Sequence, residues 1–177
     1  SYLYGTAPGL PFHYLWKELG ALDGRRIIHL DEFIRVRDAD GREAIAWTDA
    51  DRLEDHLLSL SPADARPIRA LSRGIRDLAG LDLSVLQDRP PGMRTPLDWA
   101  RIGMTMLPFV PATTRWAMVS AGEFARRFRD PFLRRAVPHL FGWPEIPMLA
   151  GLSLLASMAA GNAGFPEGGS LALARAV

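Results

Sequence analysis

The longest uncharged stretch of the chain, residues 146–166, limits its fold more than any other feature. Its apolar character invites comparison with a membrane span, but Pro147, Gly161 and Gly164 confine a helix to residues 148–160. At about 1.5 Å per residue this helix is about 20 Å long, which is shorter than a hydrocarbon core of about 30 Å. We therefore predict a short helix, apolar on all sides, that is buried inside a globular protein.

Length and composition predict a single domain without a dominant charge. A chain of 177 residues is long enough for one core that buries about 70% of the extended-chain surface. The formal net charge of +1 gives no long-range field that favours nucleic acid, so no nucleic-acid partner is expected. The absence of cysteine excludes disulfides, thiolate metal sites and a cysteine nucleophile. His13 lacks a second ligand at a useful spacing, so we predict no metal site.

Residues 1–86 combine helical and strand patterns. Pro11 suits the first position of a helix, and residues 26–47 carry the hairpin pattern of a strand, a turn at residues 39–41 and a second strand. Two strands are marginally stable alone, so the hairpin should join other strands or cover helices. With the helical second half, this predicts an α+β fold that is mostly helical with a small antiparallel sheet. The apolar face of the first helix should comprise Phe12, Leu15, Trp16 and Leu19.

Two helix starts follow the hairpin. Residues 48–51 supply a hydroxyl cap and an acidic first turn, and residues 61–64 repeat the start signal. His56, beside Asp55, has the chemistry of a general base, but no nucleophile or orienting partner accompanies it, so we predict a solvated side chain. The two apolar faces should comprise Leu53, Leu57 and Leu60, and then Ile68, Leu71, Ile75 and Leu78.

The Pro-, Gly- and Arg-rich residues 87–95 predict a linker or exposed loop between a mixed segment, residues 1–86, and a helical segment, residues 95–177. Further helices are predicted to begin at Thr95, Ser120 and Asp130. Residues 102–111 carry no charge and are rich in methionine. From the residues alone we favour a core segment that ends at Pro108; the alternative is the wall of an apolar tunnel or a surface that touches lipid.

The densest basic cluster of the chain lies between residues 126 and 135. Such a run is most often a solvated helix face, which is our first interpretation. Contact with anionic lipid head groups ranks second, with about 1 kcal/mol from each arginine near the surface. Nucleic acid ranks third because no aromatic-interleaved groove accompanies the cluster. The cluster consists of Arg126, Arg127, Arg129, Arg134 and Arg135.

The C-terminal residues 161–177 predict a tight Gly-rich turn, after a break at Pro166 and Glu167, that leads into a final helix. Residues 165–176 resemble the Pro-x-Gly-Gly-helix motif of phytoene-desaturase-like FAD-dependent oxidoreductases, which are relatives of the flavin amine oxidases. Other segments resemble the same family in the same order, namely residues 3–12, 15–20, 33–41, 48–54, 60–64, 120–124 and 128–134.

The resemblance implies a fragment of a larger enzyme. Family members open with a Gly-x-Gly-x-x-Gly turn that holds the FAD pyrophosphate, and this sequence lacks it. Residues 1–177 are therefore expected to be a single substrate-binding domain, inactive alone and unable to bind FAD without the remaining FAD-binding portion of the same protein. The implied reaction moves a hydride equivalent between flavin and a hydrophobic isoprenoid or polyene (carotenoid-like) substrate. The implied location is the cytoplasm, with peripheral membrane contact left open.

The resemblance also suggests site residues, although it assigns no catalytic residue. Phe165, Pro166, Gly168 and Gly169 are expected to lie near the flavin or substrate. The lining of the hydrophobic substrate cavity is expected to comprise Trp16, Met104, Met106, Phe109, Trp116, Met148 and Leu152.

Two other hypotheses for the function remain from the residues alone. One is a stand-alone carrier of apolar ligands, and the other is a peripheral membrane or protein-interaction module.

Overall fold

The computed structural model of this protein describes residues 2–81, 86 and 90–175. The fold is α+β and mostly helical, as the sequence predicts. Its strands are β1 (Leu3–Tyr4), β2 (Ile27–Ile28), β3 (Glu32–Arg37), β4 (Glu43–Trp47) and β5 (Ala163–Pro166). Its helices are α1 (Pro11–Glu18), α2 (Ala50–Leu60), α3 (Ala65–Asp77), α4 (Pro96–Met106), α5 (Val110–Ala117), α6 (Ala121–Ala125), α7 (Pro131–Leu140), α8 (Met148–Ala159) and α9 (Gly169–Ala174).

The strands form two small antiparallel sheets. In the first, β5 lies between β1 and β2, and Gly164 is paired with Leu3 while Pro166 is paired with Ile27. The second is the predicted hairpin, β3 and β4, which is confirmed for residues 32–47. The prediction that residues 26–38 form one strand is wrong. Residues 29–31 separate β2 from β3, and β2 pairs with β5; in this separating segment the carbonyls of Leu30 and Asp31 face the Thr48 hydroxyl donor.

The hairpin covers helices rather than joining further strands. Strand β4 packs against α2, and both hairpin strands contact α7. Ala44 and Ala46 on β4 are fully buried in this layer. The turn is closed by Asp38, whose carboxylate accepts the N–H groups of Asp40 and Arg42. A two-stranded sheet is marginal by itself, so the helices provide the apolar contacts that the hairpin lacks.

Local capping signals define most helix starts. Pro11 is the first residue of α1, and capping boxes at Thr95 and Ser120 begin α4 and α6. Asp130 caps α7 by accepting the N–H of Leu133. The predicted hydroxyl cap of α2 is wrong: Asp49 occupies the N-cap position and its carboxylate accepts the N–H of Arg52, while the Thr48 hydroxyl is directed to the residues that precede β3.

Helices α3, α5 and α8 meet at a glycine. A Cβ added at Gly74 would lie 2.9 Å from Leu152 Cδ1 and 2.9 Å from Trp116 Nε1, so these two side chains pack onto Gly74 more closely than a residue with a Cβ would allow. Trp116 is 1% exposed and Leu152 is fully buried. One continuous core therefore includes residues from both sides of the predicted linker at 87–95, of which residues 87–89 lie outside the described ranges.

The predicted apolar faces are largely confirmed in the centre of the fold. Leu53 and Leu57 of α2 are fully buried, and the predicted face of α3 is buried along its length. Helix α8 spans Met148–Ala159, in agreement with the predicted limits, and Met148 and Leu155 are fully buried. Within the described ranges, no helix has both the length and the hydropathy that crossing a bilayer requires.

Two predictions of burial are wrong. Leu15 and Leu19, expected on the apolar face of the first helix, are 43% and 40% exposed. The favoured core interpretation of residues 102–111 also fails, because none of the side chains of Pro96–Met106 is buried and the backbone continues past Pro108 through a 3-10 turn, Leu107–Phe109, into α5. Flexible apolar side chains on a capped helix fit a surface as readily as a core, so composition alone did not distinguish them.

The close approach at Gly74 gives the first testable prediction. Gly74→Ala is expected to lower the free energy of unfolding by about 2 kcal/mol, because the new methyl group overpacks against Trp116 and Leu152. The matched control is Gly103→Ala, which also lies in a helix but has open space around the added Cβ. That variant should be neutral or gain about 1 kcal/mol from helix propensity. Urea denaturation measures both, and equal effects of the two substitutions would contradict the tight packing.

Candidate functional site

The segment expected to lie near flavin or substrate adopts a strand, a glycine pair and a helix. Phe165 and Pro166 lie in β5, the central strand of its sheet. Gly168 and Gly169 follow with φ angles of +84° and +72°, which L side chains resist. The predicted turn and final helix are confirmed within the described residues. Pro166 does not break a helix, however, because α8 has already ended at Ala159 and β5 intervenes.

Both glycines are therefore required by the backbone. A Cβ at Gly168 would also lie 2.8 Å from the Cβ of Ala172 one turn into α9. Phe165 is half-buried and makes an edge-to-face contact with Tyr2, with ring centroids 6.4 Å apart. Leu171 on α9 is 63% exposed. The segment thus presents an aromatic ring and an apolar helix side chain at the surface of the small sheet.

The structure distributes the seven predicted cavity residues over three environments. Trp116, Met148 and Leu152 lie together in the closed core. Trp16 is half-buried on α1, and its indole N–H donates to the Tyr4 carbonyl at 2.8 Å. Met106 and Phe109 are partly buried against the core, and Met104 is 69% exposed. Their assignment to one substrate cavity stays a prediction.

Residues 102–111 are mostly exposed, so they match the interpretation that the sequence analysis favoured less, an apolar segment that is not part of the core. Six large apolar side chains of α4, α5 and their junctions are exposed; on α4, Leu97 and Met104 lie on one side of the helix, whereas Trp99 lies about 200° around the axis from Leu97. We call this set the α4–α5 apolar surface. It comprises Leu97, Trp99, Met104, Leu107, Val110 and Met118, with exposed fractions from 46% to 86%.

All five arginines of the basic cluster are exposed, as the first interpretation predicts, but only Arg134 and Arg135 lie on a helix face, and the neighbours of the five differ. Arg134 turns back and donates from Nε and Nη2 to the Phe128 carbonyl. Arg127 and Arg129 instead face a cavity of about 480 Å³. Arg66 of α3 and Arg115 of α5 line the same cavity. Sequence reasoning missed these two because they are far from the cluster in the chain.

Asp64 lies at the base of this cavity and is 1% exposed. Its carboxylate accepts the N–H groups of Arg129 at 2.7 Å and Asp130 at 3.0 Å, and the Ser61 hydroxyl at 2.9 Å. Burial alone would raise the pKa of Asp64, but these hydrogen bonds outweigh it and hold the pKa below its usual value. The carboxylate thereby joins the α2–α3 turn to the start of α7.

His56 is not the solvated side chain that the sequence predicts. It is half-buried, and its Nε2 accepts the backbone N–H of Ile45 at 3.1 Å, so the imidazole holds α2 to β4. Burial lowers the pKa of His56, although the nearby Glu43 carboxylate acts in the opposite direction. A neutral ring fulfils this structural role, and we assign it no part in catalysis.

Comparisons with known proteins add no relative: neither a family model, nor a curated protein, nor a solved structure matches the chain. The family resemblance therefore rests on the motifs described above, and the function that it implies is a proposal.

The role of His56 predicts a pH-dependent stability. Its pKa is lower in the folded protein than the value of about 6.5 in an unfolded chain, so its contribution is complete above that value and is lost as the pH falls below it. Protonation also removes the acceptor for the Ile45 N–H. Urea denaturation at a series of pH values should show stability falling as the pH drops below about 6.5, and His56→Gln should reduce this slope.

The exposed His139 provides the control for this measurement. His139→Gln should leave the pH slope in place. A His56→Gln variant with the same slope as the unsubstituted protein would contradict the assigned role of His56.

Proposed function

We propose that this chain forms the substrate-binding portion of an FAD-dependent oxidoreductase that acts on a hydrophobic substrate of the isoprenoid or polyene class. The observation that carries the proposal is the geometry of residues 165–174. In this chain the Pro-x-Gly-Gly motif forms the end of a strand, a turn with positive φ angles at Gly168 and Gly169, and the start of a helix. The glycines are therefore integral to the motif's geometry and not incidental to composition.

The α4–α5 apolar surface supports the same proposal. A hydrophobic substrate must be removed from water over most of its length, and this requires apolar side chains that are available for contact. Exposed methionine and leucine side chains of α4 offer such contacts and adapt to irregular shapes. Met104, one of the residues expected to contact substrate, belongs to this surface and is accessible in this structure.

The described residues do not fit the pyrophosphate of FAD. Both sheets formed by them are antiparallel, and they contain no parallel strand–helix–strand unit of the kind that holds a dinucleotide. We accordingly assign no reaction step to flavin at these residues. The proposed contribution of this chain is to bind the substrate, exclude water from it and fix its position through the segment around Phe165.

The proposal predicts which of two protein preparations contains bound flavin. The protein encoded by the reading frame that contains this chain should purify with bound flavin and turn over a polyene substrate, whereas residues 1–177 alone should retain no flavin after gel filtration. Gly168→Val should lower turnover, because valine is strained at a φ of +84° and its Cβ lies against Ala172.

Gly92→Ala is the matched control, since Gly92 has open space around an added Cβ. Its turnover should equal that of the unsubstituted protein. A flavin-free preparation of the longer protein, or a flavin-loaded preparation of residues 1–177, would contradict the proposal.

One observation favours a second candidate function, a peripheral membrane module. The α4–α5 apolar surface would bury its side chains in a bilayer interface as readily as against a substrate. If it does, residues 1–177 should co-sediment with neutral phosphatidylcholine vesicles, and Leu107→Ser should weaken this severalfold. Leu171→Ser, which changes an equally exposed leucine on α9, is the control and should have no effect. Absence of sedimentation, or equal loss in both variants, would contradict this candidate.

A further inference from the structure

Four arginines converge on one cavity although they come from three regions of the chain. Arg66 lies in the first turn of α3, Arg115 in the last turn of α5, and Arg127 and Arg129 between α6 and α7. The cavity of about 480 Å³ is within the range of about 300–1,000 Å³ that is common for small-molecule sites. All four arginines are exposed, so the cavity opens to solvent. Its remaining lining is apolar except for Asp64, and consists of Ala63, Pro67 and Ala70.

The positive charge in this cavity is not neutralised by ion pairs. Among residues 2–81, 86 and 90–175, none of the four guanidinium groups lies within salt-bridge distance of a carboxylate. Many other arginines of the protein do have such partners. Like charges around a concave surface reinforce one another, so the cavity attracts an anion. The paired arginines are Arg26, Arg35, Arg37, Arg42, Arg52, Arg69 and Arg76.

The Asp64 carboxylate offsets one of the four positive charges of the cavity, and its hydrogen bonds position the site. Its two carboxylate oxygens are directed to backbone N–H groups of Arg129 and Asp130 and to the Ser61 hydroxyl. These bonds fix the backbone at Arg129 while the side chain of Arg129 remains directed to the cavity. The buried Asp64 carboxylate thus fixes the backbone from which the Arg129 side chain extends into the cavity.

Two further arginines are held by aromatic rings. The Arg115 guanidinium lies 5.1 Å from the centre of the Trp116 ring, and that of Arg127 lies 5.1 Å from the centre of the Phe124 ring. The two rings are themselves in edge-to-face contact at 5.4 Å and are buried in the core. Such contacts restrict the long side chains without reducing their charge. The cavity is therefore partly organised before a ligand arrives.

We propose that this cavity is a binding site for a phosphate or diphosphate group. Guanidinium groups match phosphate oxygens with paired hydrogen bonds, and several around one cavity suit a group with more than one negative charge. The open mouth leaves room for the rest of a phosphorylated molecule outside the cavity. The proposal is independent of the flavoenzyme proposal, because it uses other residues.

Calorimetric titration of residues 1–177 with inorganic pyrophosphate tests the site. Saturable binding with one site per chain is expected, and it should weaken with added salt. Arg66→Gln and Arg129→Gln are suitable changes because, within the described part of the chain, the guanidinium–ring contacts at this cavity involve Arg115 and Arg127 instead. The double variant should lose at least about tenfold in affinity.

Arg73→Gln is the matched control, since Arg73 is also exposed on α3 but lies outside the cavity. It should leave the affinity unchanged. Equal loss in the control would show that only net charge matters and would overturn the proposal. Circular dichroism of each variant verifies the fold.

Vesicles distinguish a free phosphate from a lipid head group. The double variant and the unsubstituted chain are compared for binding to phosphatidylcholine vesicles with and without phosphatidic acid. If the unsubstituted chain binds pyrophosphate but not the vesicles with phosphatidic acid, the site is assigned to a soluble phosphate. If it binds those vesicles and the double variant does not, the site is assigned to a lipid head group. If neither probe binds, or if the double variant binds both as the unsubstituted chain does, the proposal is wrong.

Discussion

The packing of Trp116 against Gly74 and Leu152 is the contact on which the rest of this structure depends. This contact joins α3, α5 and α8, and only a glycine at position 74 leaves room for the two side chains. Because α3 precedes the predicted linker and the other two helices follow it, this contact makes one core from both halves of the chain. The same indole makes an edge-to-face contact with Phe124, which in turn contacts Phe128 with ring centroids 5.8 Å apart. The aromatic series extends the core towards α7.

Helix α5 shows how one short element serves several surfaces. Its Ala112 and Trp116 side chains are buried, Val110 belongs to the α4–α5 apolar surface, and Arg115 lines the basic cavity. Successive side chains of a helix project about 100° apart around its axis, so the eight residues of α5 can face the core, the solvent and the basic cavity. The proposed phosphate site and the proposed hydrophobic contact are consequently linked through a single helix whose position is fixed by Trp116.

The small sheet has a different origin, because it joins residues that are far apart in the chain. The Asn162 carbonyl accepts the N–H groups of Gly5 and Thr6, and the Gly161 carbonyl accepts the Thr6 hydroxyl. These bonds place the first strand beside the segment that leads to the glycine pair. Such strand pairs depend on long-range contacts, which is why the hairpin was predictable from its own residues and the partner of Ile27 was not.

The sequence by itself determined the features that arise within a few residues. Capping at Thr95, Ser120 and Asp130, the buried face of α3 and the limits of α8 follow from neighbouring side chains and from Pro and Gly, which act on the local backbone. The flavin- and substrate-related roles of Phe165 and its neighbours remain proposals, because the sequence supplies them only through resemblance. Their strand and turn conformations are properties of the structure.

Only the tertiary structure decided which side chains meet across the chain. It exposed α4, although an uncharged helix suits a core equally well, and it gave His56 a backbone partner on β4. It also placed the arginines of α3, α5 and the segment before α7 around one cavity. The physical reason is the same in each case: burial and electrostatic surroundings are set by the packing of distant elements, and a local pattern of residues carries no information about which distant surface will cover it.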